Sequence, residues 1–212
     1  MSDTKIKICG LRRLQDIEYV NEALPDFVGF VFAKSRRQVS PDTAAVLKSS
    51  LDKRIKSVGV FVNDDMDLIE GLCSKGIIDY IQLHGDETPL YLHKLKERLE
   101  KAGCYKPLIK AIRVKDAASL SEVVKLSSTE FLLLDAFNEN EYGGTGKTFD
   151  WELAAGIGKR IFLAGGLNIH NVHSAVNAVR PFCLDVSSGV ETDGFKDRNK
   201  IIALIKLVRS VK

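Results

Sequence analysis

The sequence contains no long hydrophobic run: none of its 212 residues lies in a stretch of about 18 uninterrupted apolar residues, the length that a transmembrane helix needs. Residues 1–10 also lack the apolar segment of a secretory signal peptide. The four cysteines, Cys9, Cys73, Cys104 and Cys183, form no C-x-x-C pair, so the usual zinc and disulfide patterns are missing. We therefore expect a cytoplasmic protein with free thiols, no metal and no membrane attachment.

The chain also has no large excess of charge of one sign, because 31 basic and 28 acidic residues leave a net charge of only +3. The basic residues are scattered and form no stripe with interleaved aromatics, so nucleic acid is not an expected partner. No linker rich in Pro, Gly or Ser divides the chain. With 45% hydrophobic and 28% charged residues, the composition is that of a globular protein, and we predict one domain over 1–212.

Short runs of β-branched and aromatic residues alternate with segments whose apolar residues recur every three to four positions. The runs, which predict strands, are 4–9, 27–32, 57–62, 77–83, 107–113, 130–135, 160–164 and 182–186. The segments that predict helices are 14–24, 40–51, 65–76, 88–103, 116–127, 149–158, 168–179 and 196–211. Ser40-Pro41, Thr88-Pro89 and Asn168 are predicted to begin helices.

Eight strand–helix units spaced by about 25 residues suit a closed parallel barrel. The strands are nearly continuously apolar, as strands covered on both faces are. An open doubly wound sheet is the alternative, but a sheet of five or six strands would leave two units unplaced. We therefore predict an α/β fold with a single (β/α)8 TIM barrel.

In such barrels the active site lies where the strands end, so residues at those ends are the candidates. The ends carry Cys9, Arg36, Arg37, Asn63, His84, Arg113, Asp135, Gly165, Gly166 and the segment 185–189. The loops after strands seven and eight, "LAGGLN" and "DVSSGVE", contain Gly165, Gly166, Asp185, Ser187, Ser188 and Gly189. Paired glycine-containing turns at this place favour a phosphate site, although tight turns with nothing bound are the alternative.

Several of these residues leave two interpretations open. Asp135 ends "FLLLD" and is either an acid or a structural carboxylate, and Cys9 is either a base or an inert thiol. His84 either contacts a substrate or orients its loop. Arg36 and Arg37 are either a solvated pair, or one of them forks a carboxylate.

Two further features lie in the loop after strand six and in the helix after strand seven. The glycine-rich loop 138–150 predicts either a lid over about residues 136–149 or a solvated loop. His170 and His173 lack an acidic or thiol companion, so no metal site is predicted there.

Nine motifs run in order from Lys7 to about Glu191: "KICG", "VGFVF", "SRRQVSP", "VGVFVN", "IQLHGDE", "LLLDA", "YGGTGKTFDW", "LAGGLN" and "VRPFCLDVSSGVE". Together they resemble those of the phosphoribosylanthranilate isomerase family. The resemblance implies a cofactor-free Amadori rearrangement of N-(5-phosphoribosyl)anthranilate to 1-(2-carboxyphenylamino)-1-deoxyribulose 5-phosphate in tryptophan biosynthesis. The expected partner is thus a small phosphorylated substrate.

The resemblance also implies roles for individual residues. Asp135 is expected to be the general acid and Cys9 the general base, with burial of Asp135 and positive surroundings of Cys9 separating their pKa values. Arg37 is expected to bind the anthranilate carboxylate, and His84 and Asp185 to line the pocket. The phosphate is expected at Gly165, Gly166, Ser187, Ser188 and Gly189.

Two segments depart from the family pattern. Leu11-Arg12-Arg13 follows "KICG" where isoleucine and threonine are usual, and the usual proline and glycine before Lys-Asp are reduced to the segment "TDGFKD" at 192–197. Both segments lie in loops beside the expected site, so substrate fit and loop shape are the properties they put in question.

Other functions remain to be compared with this one. The related isomerase of histidine synthesis uses an aspartate where Cys9 stands. A ring-closing lyase would need a lysine at a strand end, and neither Lys34 nor Lys110 ends a strand cleanly. A non-catalytic binding module would not need both Cys9 and Asp135. We expect a monomer, with a dimer as the alternative.

Overall fold

A computed structural model describes residues 4–114, 129–136 and 159–211. Its main strands are β1 (Lys5–Cys9), β2 (Phe27–Val31), β3 (Lys56–Phe61), β4 (Tyr80–Leu83), β5 (Leu108–Val114), β6 (Phe131–Ala136), β7 (Arg160–Leu163) and β8 (Cys183–Val186). The described helices are α1 (Leu14–Ala23), α2 (Pro41–Ser49), α3 (Met66–Ser74), α4 (Pro89–Lys101), α5 (Val172–Val179) and α6 (Arg198–Ser210). The predicted helices at 116–127 and 149–158 and the loop 138–150 lie outside the described residues.

The eight strands form one closed parallel barrel in chain order, which confirms the predicted TIM barrel. Closure is made by β1, which pairs with β2 on one side and with β8 on the other. In this register Lys7 is aligned with Asp185. A short antiparallel hairpin of β9 (Glu191–Thr192) and β10 (Phe195–Lys196) follows β8.

Helix starts follow the predicted caps in α2 and α4. The side chains of Ser40 and Thr88 accept hydrogen bonds from the backbone N–H groups of Thr43 and Tyr91, and a proline follows each cap. The prediction that Asn168 begins a helix is wrong, because α5 begins only at Val172. Asn168 instead shapes the loop after β7, where its side chain accepts from the His170 N–H and donates to the Gly166 carbonyl.

The predicted start of the fourth strand at residue 77 is also wrong. Gly76 has a φ of +66°, and the Ile77 N–H donates to the Leu72 carbonyl in α3. Ile77 and Ile78 are therefore buried in the turn that ends the helix, and pairing begins at Tyr80. An apolar run does not by itself separate a strand from a buried helix end.

Aromatic rings fill the end of the barrel where the strands begin. They belong to Phe27, Tyr80, Phe131, Phe162 and Phe182, with neighbouring centroids 5.2 to 6.4 Å apart. The guanidinium of Arg160 lies 5.5 Å from the Phe182 centroid. This apolar packing closes one end of the barrel and leaves the opposite end for polar side chains.

Candidate active site

A cavity of about 750 Å³ opens at the end of the barrel where the strands finish. Its lining includes nine of the ten predicted site residues, namely Cys9, Arg37, His84, Asp135, Gly165, Gly166, Asp185, Ser187 and Ser188. The tenth, Gly189, lies in the short 3-10 helix Ser188–Val190 directly behind them. A volume of this size suits a small organic ligand.

Cys9 is partly buried at the end of β1. Its neighbour on β2 is Gly29, where a Cβ atom would lie only 2.6 Å from the Cys9 sulfur, so the thiol needs glycine beside it. Burial raises the pKa of Cys9, and the ammonium groups of Lys7 and Lys196 only partly oppose that effect. The positive charges expected around Cys9 are therefore present. The cost of burying the thiolate nevertheless has the larger effect on the pKa of Cys9.

Asp135 is the penultimate residue of β6 and is only 5% exposed. Its Oδ2 atom lies 3.3 Å from Nε2 of His84, which follows β4. The carboxyl thus faces an imidazole across the mouth of the barrel.

A layer of buried polar side chains forms the floor of the cavity, and Asp185 is its one member that sequence patterns predicted. The ammonium of Lys7 is fully buried and donates to Gln82 Oε1 and Asp185 Oδ2, both at 2.7 Å. Burial alone would lower the pKa of Lys7, but the charges of its neighbours, Asp185 first and then Cys9, together outweigh burial and the pKa is raised. Lys7 therefore stays charged inside the barrel.

The two loops predicted to hold phosphate pack closely against each other. Gly165 and Gly166 have φ angles of +88° and +63°, a conformation that favours glycine. The side-chain amides of Asn168 and Asn171 both donate to the Gly166 carbonyl and fix this turn. Backbone N–H groups of such turns and of the adjoining 3-10 helix suit an anion.

Arg37 forks the carboxylate of Glu191, a residue that sequence reasoning did not single out, whereas Arg36 is 60% exposed and makes a single contact of 3.3 Å with it. Arg37 Nε and Nη2 donate to the two Glu191 oxygens at 2.8 and 2.9 Å, and Lys196 Nζ donates to Oε1 at 2.7 Å. Burial opposes ionisation of Glu191, but Arg37 and Lys196 lower its pKa to about 2. This fork holds the Arg37 guanidinium at the cavity wall.

The remaining predicted candidates lie away from the cavity. Asn63 accepts from the Asp86 N–H with its side chain, Arg113 pairs with Asp86, and His170 and His173 are exposed. Over 4–114, 129–136 and 159–211, no group of three or more His, Cys, Asp or Glu side chains is placed to hold a metal ion. The same ranges contain no helix long and apolar enough to cross a membrane.

Comparison with known proteins identifies the family of this barrel. Residues 6–207 match the family model described as N-(5'phosphoribosyl)anthranilate (PRA) isomerase. The chain belongs to the PRA isomerase family. It is thus an isomerase of the intramolecular oxidoreductase class that acts in tryptophan biosynthesis.

Curated relatives and solved structures of PRA isomerases cover nearly the whole chain. The PRA isomerase of Endomicrobium trichonymphae is 48% identical over 98% of this chain and 99% of its own. That of Acetivibrio thermocellus is 51% identical over 97% and 96%. The crystal structure from Thermotoga maritima is 36% identical, with a TM-score of 0.86 over 97% of this chain and 98% of its own.

The two segments that depart from the PRA isomerase pattern contact each other. The guanidinium groups of Arg12 and Arg13 lie 4.5 and 4.4 Å from the centroid of the Phe195 ring. Arg12 also donates to the carbonyls of Arg36 and Gly194. These contacts join the loops after β1, β2 and β8 at the rim. The unusual arginines of the first segment therefore contact the unusual phenylalanine of the second.

Gly189→Ala is expected to destabilise the fold by about 1–3 kcal/mol and to raise KM at least severalfold. A Cβ at position 189 would lie 1.9 Å from the Leu167 carbonyl oxygen, so the two predicted phosphate loops must separate. Urea unfolding and steady-state kinetics measure both effects. Gly71→Ala in α3 is the matched control, since nothing lies within 4 Å of its Cβ and stability should rise by about 0.5–1 kcal/mol. Equal free energies of unfolding and equal KM values for the two variants would contradict the close packing of Gly189 against Leu167.

Glu191 is expected to stabilise the fold down to unusually low pH. Because its pKa is lowered from 4.5 to about 2 in the folded protein, its contribution is complete above 4.5 and is lost as pH falls toward 2. The free energy of unfolding, measured at a series of pH values, should therefore decrease less steeply from pH 5 to 2 in Glu191→Gln than in the wild type. Parallel curves would contradict the ion-pair assignment.

Proposed function

We propose that this chain converts N-(5-phosphoribosyl)anthranilate to 1-(2-carboxyphenylamino)-1-deoxyribulose 5-phosphate by an Amadori rearrangement, with Asp135 as general acid and Cys9 as general base. We further propose that residues 1–212 act as one domain in the cytoplasm. Support for the ligand class comes from a PRA isomerase solved in complex with reduced 1-(o-carboxyphenylamino)-1-deoxyribulose 5-phosphate, which is 34% identical with a TM-score of 0.83.

The observation that carries the proposal is the order of groups around the rim. Asp135 is the penultimate residue of β6 and Cys9 is the last residue of β1. The predicted phosphate loops follow β7 and β8, which lie between those two strands in the closed barrel. A ligand whose phosphate occupies those loops extends its ribose between the acid on one side and the base on the other. Both side chains line the same cavity.

The reaction begins with the acid. A proton from Asp135 passes to the ribose ring oxygen, the bond from that oxygen to C1 breaks, and the anilino nitrogen supplies the electron pair that forms an iminium. The buried position of Asp135 keeps water from competing for this proton.

The base acts next. Cys9 removes the proton from C2, the electron pair forms the C1–C2 double bond, and the iminium is neutralised to an enolamine. Loss of the O2 proton and protonation at C1 then give the ketone. The iminium is itself the electron sink, so the chemistry needs neither pyridoxal nor a metal.

Activation of Cys9 is coupled to ring opening in this account. Burial raises the pKa of the resting thiol, while Lys7 and Lys196 favour the thiolate. The positive charge of the iminium adds to theirs only after the acid has acted. The base is therefore strongest when a C2 proton is ready to be removed.

Binding of the substrate falls to the other residues of the rim. The phosphate contacts Gly165, Gly166, Ser187, Ser188 and Gly189 through their backbone N–H groups. Arg37, held by Glu191, faces the anthranilate carboxylate. Asp185 Oδ1 is buried without a hydrogen-bond partner among the described residues, which suits it to accept from a ribose hydroxyl.

The experiment follows the fluorescence of N-(5-phosphoribosyl)anthranilate with purified protein in the presence of a metal chelator. We expect turnover that the chelator does not reduce, together with formation of the ribulose product. A folded protein that binds the substrate without turnover would overturn the proposal and would favour a binding module. Size-exclusion chromatography with light scattering distinguishes the predicted monomer from a dimer, the state named for the Thermotoga maritima relative.

A further inference from the structure

A chain of buried polar side chains crosses the barrel beneath the cavity. Asp185 on β8 accepts from Lys7 on β1, Lys7 also donates to Gln82 on β4, and the Gln82 amide contacts His84. The last step joins Gln82 Nε2 to His84 Nδ1 over 2.8 Å. Lys7, Gln82 and Asp185 are all less than a tenth exposed, so these contacts are shielded from bulk solvent.

The donors and acceptors along this chain have only one consistent arrangement. A lysine ammonium has donors and no acceptor, so Gln82 must turn its carbonyl oxygen toward Lys7. The NH₂ group of Gln82 then faces His84, and because it only donates, His84 Nδ1 must accept. An imidazole with one proton consequently carries it on Nε2.

This proton lies beside the acid. His84 Nε2 is buried and lies 3.3 Å from Asp135 Oδ2, but it has no aligned hydrogen-bond partner among the described residues. A small rotation of the imidazole or of the carboxyl would bring its N–H onto Oδ2 and leave the second oxygen of Asp135 to carry the proton that is transferred. The opposite tautomer would present a lone pair to the carboxyl and would compete for that proton.

We propose that Lys7 and Gln82 are positioning residues that hold His84 in the tautomer with its proton on Nε2, so that His84 orients the Asp135 carboxyl for proton transfer to the substrate. The catalytic half of this statement rests on the proposed role of Asp135 as general acid. The tautomer itself does not depend on that role.

The test combines nitrogen NMR of the ligand-free protein with kinetics. In the wild type, the ¹⁵N shifts of His84 should show the proton on Nε2, with the resonance assigned by its loss in His84→Asn. Gln82→Glu is nearly isosteric but replaces the NH₂ donor with an acceptor, so the His84 proton should move to Nδ1. We expect kcat to fall about 10- to 100-fold with little change in KM, the scale of a misplaced catalytic group.

A second variant and a control separate positioning from folding. Gln82→Met keeps the side-chain length and removes both polar atoms. Because the amide of Gln82 then no longer donates to Nδ1, His84 should show a mixture of tautomers, and kcat should fall. Ser57→Ala removes a buried hydroxyl that bonds the Ile77 carbonyl near the start of β3, and it should lower stability while kcat and the His84 spectrum stay unchanged.

Three results would overturn the proposal in different ways. A wild-type proton on Nδ1 would refute the tautomer whatever the acid is. If the His84 proton shifts in Gln82→Glu and kcat stays unchanged, the tautomer is not important for catalysis. Full activity of Asp135→Asn would overturn the proposed acid and the catalytic half, while the wild-type spectrum would still decide the tautomer.

Discussion

Asp135→Asn and Cys9→Ser are each expected to lower kcat at least about a hundredfold, the scale of a lost general acid or base. Asparagine keeps the shape of the side chain but has no acidic proton, and a serine hydroxyl is a far weaker base than a thiolate. KM should change little, because in the proposed binding mode other residues of the rim hold the phosphate and the anthranilate carboxylate. Initial rates from the loss of substrate fluorescence give both constants.

Two matched variants control for the substitutions themselves. Cys183→Ser alters a buried thiol on β8 that does not line the cavity, and Asp79→Asn alters a partly buried carboxylate that binds Lys48 and Ser57. Both should keep their kcat, although Asp79→Asn should lose stability. A Cys9→Ser or Asp135→Asn variant as active as these controls would contradict the assigned roles.

Lys7→Met is expected to lower the free energy of unfolding by about 3–5 kcal/mol. The fully buried ammonium compensates the Asp185 carboxylate at 2.7 Å, and its loss leaves that charge buried and unpaired. The double variant Lys7→Met/Asp185→Asn should recover part of the loss, because it removes the orphaned charge as well. Urea unfolding of the single and double variants measures the coupling.

Lys5→Met is the control for this prediction. Lys5 lies on the same strand two residues earlier, pairs with Asp26, and has a side chain that is 48% exposed. Its replacement should cost only about 0–1 kcal/mol, as exposed ion pairs do. Similar losses for Lys5→Met and Lys7→Met would show that the buried pair contributes no more than a surface pair.

The architecture was predictable because each strand carries its own signal. Continuous apolar runs predicted strands covered on both faces, and their regular spacing predicted a closed barrel, which is observed. The cavity residues followed from the same signal, since Cys9, His84 and Asp135 come at the ends of such runs. The errors at residue 77 and at Asn168 arose where a helix end or a loop uses the same residue types as the element that was predicted.

The polar layer under the cavity was not predictable by the same rules. In "TKIKIC" Lys7 occupies a position that alternation assigns to solvent, yet it points into the barrel on the same side as Cys9, two residues later. Its partners Gln82 and Asp185 come from strands far away in the sequence. The pKa of Cys9 depended on a balance between burial and two lysines, which requires the three-dimensional arrangement.

The most direct test of the account is the kinetic isotope effect on kcat with substrate deuterated at C2 of the ribose. If Cys9 removes that proton and Asp135 opens the ring, Cys9→Ser should show a larger isotope effect than the wild type, because C–H cleavage becomes slower. Asp135→Asn should show almost none, because ring opening becomes rate-limiting. The same isotope effect in both variants, or the reverse order, would contradict the assignment of base and acid.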